Sequence, residues 1–137
     1  YGQQNSTVKG QDTGPQLFDE GMKKFTQLAA EADFIINLGD LPAHGIYSIS
    51  KKESDEKFIF QALRNANTSQ KPLFYVTGNN DSLEGNYQPF SYQGKSPLRL
   101  AEQWDGACLN CQNLMINNDH MEEGGYYSSY AMPSNKE

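Results

Sequence analysis

Two oxygen-rich segments, Gly39-Asp40-Leu41-Pro42-Ala43-His44 and Gly78-Asn79-Asn80-Asp81, hold the residues of this 137-residue chain best suited to chemistry. Each follows an apolar run of β type, Phe34-Ile35-Ile36-Asn37-Leu38 before the first and Phe74-Tyr75-Val76-Thr77 before the second. A carboxylate such as Asp40 can bridge two divalent cations, and a neutral amide such as Asn79 adds a ligand without cancelling their Lewis acidity. The glycine before each removes a side chain where backbone and cation must approach closely. Either dipeptide alone would read as turn chemistry. Two of them at neighbouring strand ends point to metal-assisted hydrolysis of a phosphoester.

Such a site needs strands whose carboxyl ends lie on one edge. Pro15 is placed as a first-turn residue, and Phe18, Met22, Phe25, Ala29 and Ala32 follow the spacing of one helical face. Residues 34–38 then read as a buried strand and 39–49 as the loop leaving it. Ser50 and Glu53 form an S-x-x-E capping box for a second helix with an apolar stripe of Ile59, Ala62, Leu63 and Ala66. The next strand covers 72–77. Strand, helix and strand in about forty residues make a βαβ unit, whose right-handed crossover puts both carboxyl ends on the same edge. Residues 82–95, with Tyr87, Phe90 and Tyr92, read as a long ordered loop near the site, where the aromatics could line a groove or simply pack. Ser96-Pro97 would open a short helix facing inward through Leu100, Ala101 and Trp104, and 114–116 and 126–132 are further candidate strands. The expected fold is α/β, one domain over residues 1–137, with no internal repeat.

A formal charge of -6 argues against a nucleic-acid polymer as partner, since that affinity depends on neutralising many phosphates with Lys and Arg. No run reaches the ~18–20 apolar residues of a membrane span. Cys108 and Cys111 are the only cysteines, too few for a four-ligand zinc site on their own. They read either as a local disulfide of an oxidising compartment or as two free thiols, with a redox motif of thioredoxin type the weaker reading in such Gly/Asn/Gln-rich surroundings. Asp12, Asp19 and Glu20 stand near a helix start, where carboxylates meet the helix dipole favourably, and receive no catalytic role. His120 reads as a surface-loop residue, and the three N-x-S/T sequons at Asn5, Asn67 and Asn80 are short enough to arise by chance.

The two segments resemble the second and third motifs of the calcineurin-like metallophosphoesterases, and G-D-L-P-A-H in particular is similar to acid sphingomyelinase and its relatives. The resemblance covers roughly residues 15–132, with the specific weight in the two motifs. It implies a metallophosphoesterase sandwich built on βαβ units, with the metal site at the carboxyl ends of the strands. Asp40 would bridge two divalent ions, zinc first, with manganese or iron as alternatives; Asn79 would ligate one of them. His44 matches a histidine beside the substrate phosphate, and with Asn80 would contact the phosphoryl oxygens or the leaving group. The implied reaction is attack of a metal-held hydroxide on a phosphoester, favouring a diester such as a phospholipid head group or a nucleotide, so the partner is a small-molecule or lipid substrate. An exported setting (secreted, periplasmic or lysosome-like) is implied as well.

The departures are specific. The third motif is normally G-N-H-D or G-N-H-E, and Asn80 replaces its histidine; an amide donates a hydrogen bond but no proton. Asp81, which orients that histidine in the family, would instead hold the Asn80 amide. No D-x-H segment precedes residue 15 and no G-H-x-H pair follows Asp81. The expectation is therefore a partial catalytic domain that exposes apolar sheet surface. The rival is a non-catalytic binding module, or a degenerate member that has lost activity.

Overall fold

A computed structural model describes residues 10–46, 48–89, 108–117, 119–120 and 126–131. Helix α1 spans Pro15–Glu31, with Pro15 in its first turn; Gly14 precedes it and accepts the Phe18 N–H at 2.9 Å. Strand β1 is Ile35–Asn37, helix α2 Ile49–Ala66 and strand β2 Leu73–Tyr75. Both strands fall inside the expected runs and are shorter at each end. The capping expectation is corrected: Ser48, not Ser50, caps α2, its Oγ accepting the Lys51 N–H at 3.4 Å. The helix begins at Ile49, which places Ser50 already in its first turn.

Strands β1 and β2 pair in parallel, Ile35 opposite Leu73 and Asn37 opposite Tyr75, and the ladder continues where Val76 N–H donates to Asn37 O at 2.8 Å. The β1-α2-β2 crossover is thus the expected βαβ unit. A strand the sequence reading missed, β3 at Cys108–Leu109, pairs antiparallel with the other edge of β2, giving the order β1-β2-β3. Two residues are too few to show any periodicity, and polar neighbours hide them. Strands β4 (Ile116–Asn117) and β5 (Ser128–Ser129) form a separate antiparallel pair within or beside the two late candidate runs. Cys108 and Cys111 are joined in a disulfide, both buried, and the bridge closes the turn that leaves β3. The expected helix after Ser96, together with Phe90, Tyr92, Trp104, Met132 and the Asn5 sequon, lies outside the described residues.

The core follows from the two-residue period of β2. Leu73 and Tyr75 face the helices and meet Ile59, Phe60 and Leu63 of α2, with Leu41 and Leu109 closing the cluster and Phe18, Met22 and Phe25 of α1 packed against it. Phe60 and Tyr75 meet edge to face at 5.0 Å. On the opposite face Phe74 packs with the disulfide, Leu114, Ile116 and Tyr127, whose hydroxyl donates to Tyr75 O at 2.9 Å. That face is only partly covered: Ile36, Leu38 and Val76 are 53%, 74% and 47% exposed, so the run 34–38, expected as a buried strand, is open on one side because the second layer covers Phe74 and not its neighbours. Among the described residues no helix is long and apolar enough to cross a membrane.

Candidate functional site

Strands β1 and β2 both end at the same edge, and the loops leaving them are bound together by one side chain. The backbone leaves β1 through Gly39 and Asp40, both left-handed (φ 77° and 57°), a turn in which Asp is among the few tolerated side chains. Gly39 and Gly78 face one another. A Cβ on Gly39 would lie 2.2 Å from Gly78 N and from Asp81 Oδ2, and one on Gly78 would lie 2.4 Å from Asp40 Oδ1. The pairing of these two glycines, visible in the motifs, is a requirement of close packing between the two loops.

Asp81 fills the space between them. Its Oδ2 accepts the N–H groups of Asp40 (2.9 Å) and Gly78 (2.7 Å), and its Oδ1 accepts that of Leu41 (2.7 Å). In return Asn80 N–H donates to Asp40 Oδ1 at 3.0 Å. The Asn80 amide donates to Pro42 O at 2.7 Å and is buried, so Asp81 does not hold it as expected: the carboxylate is already committed to main chain. The Asn80 side chain is turned inward against the first loop.

Asp40 and Asn79, less buried than Asn80 and Asp81, keep side-chain oxygens with no hydrogen-bond partner among the described residues. Asp40 is exposed, and its Oδ2 makes no hydrogen bond among the described residues. The amide of Asn79 donates through Nδ2 to Asn86 Oδ1 at 2.7 Å, which leaves its Oδ1 uncommitted; Tyr87 N–H also fastens Asn79 O at 2.8 Å. A carboxylate and an amide oxygen are fitting donors for a hard or borderline divalent cation. Their number is not sufficient for two ions: among the described residues no group of three or more His, Cys, Asp or Glu gathers to hold a metal. Asp40 and Asn79 therefore fit a metal as one side of its ligand set.

His44 lies on the first loop, 73% exposed at its side chain, with Nδ1 2.8 Å from Asp12 Oδ1. Asp12 thus has a partner across the structure instead of the helix-dipole role that its position suggested.

Beneath the second loop sits a buried ionisable cluster that sequence reasoning missed. Lys52 of α2 is 2% exposed, and its Nζ donates to Asn80 O (3.1 Å) and Ser82 O (3.0 Å), gripping the loop from below. Burial pulls this ammonium below its ordinary range, against the attraction of Glu56 and Asp81. Glu56, one turn on, is fully buried with neither carboxylate oxygen hydrogen-bonded. Burial first and the charge of Asp81 second push its carboxyl up to about 9. Burial likewise raises Asp81, opposed by its three backbone N–H donors, and raises the Tyr75 hydroxyl well above its usual range. The Tyr75 hydroxyl feels the Asp81 charge without a well-formed hydrogen bond to it. A signal for the cluster exists in the sequence: Lys52 and Glu56 continue the stripe of Ile59 and Leu63 at helical spacing, placing charge on a face that must be buried. Asn86 left no comparable signal.

Comparison with curated proteins and with solved structures gives no significant match. A family model described as calcineurin-like phosphoesterase matches residues 12–135, a span that contains both strand-end loops, Asp12 and the buried cluster beneath them. By that match over most of its length, the chain belongs to the calcineurin-like phosphoesterase family.

Proposed function

We propose that this member of a phosphoester-hydrolysing family is a metal-dependent phosphodiesterase of the acid sphingomyelinase-like branch, acting on a small-molecule or lipid phosphodiester in an exported, oxidising setting. The observation that carries the reading is the pair of donor atoms, Asp40 Oδ2 and Asn79 Oδ1, left uncommitted at adjacent strand ends while Asp81 and Asn80 bind the loops together. The Cys108–Cys111 disulfide supports the oxidising compartment.

Asp40 and Asn79 would hold the metal, zinc first, with the other ligands drawn from outside the described residues. When bound, the metal supplies Lewis acidity toward the phosphoryl oxygens and a water acidified enough to attack phosphorus. The chain's own part is positional. The crosslink through Asp81 fixes the Asp40 carboxylate, Asn86 fixes which end of the Asn79 amide faces outward, and Lys52 holds the second loop from beneath. His44, the exposed imidazole of the first loop, is the group able to exchange a proton with a leaving oxygen.

The competing reading, a binding module without turnover, draws on the short ligand set and on the inward-facing Asn80. Metal content by elemental analysis on protein purified without chelator, paired with hydrolysis of bis(p-nitrophenyl) phosphate, separates the two. The phosphodiesterase reading expects bound zinc and a turnover that falls by a factor of roughly a thousand or more in Asp40→Asn, as a charge-organising group at the reacting centre should produce. Wild-type protein that carries metal and shows no hydrolysis would favour the module.

A further inference from the structure

We propose that Asp12 is the positioning residue of His44: it holds the imidazole through Nδ1, so that Nε2 is the atom left to pass a proton to the departing oxygen. The proton half of this statement rests on the phosphodiesterase reading above; the holding half does not. Asp12 precedes α1 and lies outside both strand-end motifs. One carboxylate serves two groups of one residue, with Oδ1 2.8 Å from His44 Nδ1 and Oδ2 accepting the His44 backbone N–H at 3.1 Å. Ring and main chain are therefore fixed together, which a lone surface contact would not achieve.

The chemistry of the partner decides the proton. An ionised carboxylate accepts hydrogen bonds and donates none, so the contact with Nδ1 requires the proton on Nδ1. Asp12 is held ionised: although burial opposes it, its bonds from the His44 ring and main chain bring the carboxyl below its ordinary range. The Asp12 side chain is 30% exposed and that of His44 73%, so the ring leans on the protein by one edge and offers the other to solvent. Position 80 provides no imidazole, and its amide is spent on Pro42 O. The pair of Asp12 and His44 supplies what that position lacks.

In the step so assigned, a water oxygen bonds to phosphorus and releases its proton to solvent. The bond from phosphorus to the leaving oxygen breaks with its electron pair on that oxygen, which takes the Nε2 proton of the protonated ring. The ring is left neutral with its remaining proton on Nδ1, against Asp12, and regains the Nε2 proton from solvent.

The tautomer of His44 is the direct readout, because free neutral imidazole of histidine favours the proton on Nε2. The chain has two histidines, so 15N-histidine labelling gives two ring systems, with His120, stacked on Tyr126, as the internal reference. At about pH 8.5, well above the ordinary histidine range of about 6.5, wild-type His44 should carry its proton on Nδ1. Asp12→Ala should move it to Nε2, while Asp12→Asn, whose amide oxygen still accepts, should keep it on Nδ1. The same tautomer in wild type and Asp12→Ala overturns the proposal. In parallel, Asp12→Ala should lower kcat on diphenyl phosphate about tenfold with little change in KM, and much less on bis(p-nitrophenyl) phosphate, whose leaving group needs no proton. An equal loss on both overturns the proton half. A wild type that hydrolyses neither removes the phosphodiesterase reading and the proton half with it, and the tautomer result still decides whether Asp12 holds the ring.

Discussion

Replacing Glu56 by Gln should stabilise this protein, by an amount that grows with pH. Glu56 is fully buried on α2, neither of its carboxylate oxygens has a hydrogen-bond partner, and its carboxyl is pushed from 4.5 up to about 9 by burial and then by Asp81. The folded state therefore keeps a proton that the unfolded chain has lost, and stability must fall as pH rises between those two values. At 1.36 kcal/mol per pH unit, the interval from 4.5 to 7 amounts to about 3 kcal/mol, and the whole interval to about 6 kcal/mol. Below pH 4.5 the group is protonated in both states and the penalty vanishes. Gln keeps the shape of the protonated acid and does not titrate, so Glu56→Gln should be more stable by about 3 kcal/mol at pH 7, or roughly 10 °C in Tm. At pH 5 the gain should be under about 1 kcal/mol. Near pH 9 the wild-type penalty approaches the entire stability of a small domain, and only the variant should remain well folded. Urea denaturation followed by circular dichroism at pH 5, 7 and 9 measures all three. Parallel stabilities of the two proteins across that range, or a less stable variant at pH 7, would refute the reasoning.

Asp81→Ala should be far more damaging than its position behind the ligands suggests, since it leaves the N–H groups of Asp40, Leu41 and Gly78 without their acceptor. At about 1–3 kcal/mol for each N–H left without an acceptor the loss is roughly 3–9 kcal/mol, toward the lower end because two of the three bonds are only partly buried, with Asp81→Asn costing less because one oxygen remains; a urea titration that finds Asp81→Ala within about 1 kcal/mol of wild type contradicts this. Gly39→Ala combines a left-handed backbone with a Cβ 2.2 Å from Gly78 N, and should prevent the two loops from closing. Its Tm should fall by more than 10 °C, on the order of 3 kcal/mol or more, whereas Gly21→Ala, with open space at its Cβ, should leave Tm unchanged or slightly raised.

The elements that sequence reasoning recovered are those with enough residues to display a period. Helix α1 was visible in the spacing of Phe18, Met22 and Phe25, and β1 and β2 in continuous apolar runs closed by glycine. Strand β3 was not visible, because Cys108 and Leu109 become a strand only by pairing with Leu73 and Phe74, more than thirty residues earlier in the chain. Asp40 and Asn79 stand out as candidates by type and place, since each follows a glycine at a strand end, whereas His44, preceded by Ala43, is singled out by the resemblance of its motif. The partnerships were beyond reach. That Asp12 joins His44, that Asn80 turns to Pro42 and that Lys52 rises to the Asn80 and Ser82 carbonyls are facts of tertiary geometry, each linking residues 28 or more positions apart.

Those partnerships also separate support from chemistry among residues that the motifs alone present as equals. Within the second loop, Asn79, Asn80 and Asp81 are consecutive polar side chains, yet among the described residues Asp81 is committed through both oxygens, Asn80 is buried with its amide N–H on Pro42 O, and Asn79 is less buried, with its amide N–H on Asn86 and no hydrogen-bond partner for its oxygen. Asp81 is wholly buried and its oxygens face three main-chain donors, so it has no means of touching a substrate. Asn80 is buried on Pro42 O, so its side chain ties the second loop to the first. The replacement at position 80 is therefore tied to the path of residues 40–44. With that loop held in from position 80, its outer end at His44 is fastened by Asp12, and under the proposed phosphodiesterase reading proton transfer would fall to the first loop instead of the second.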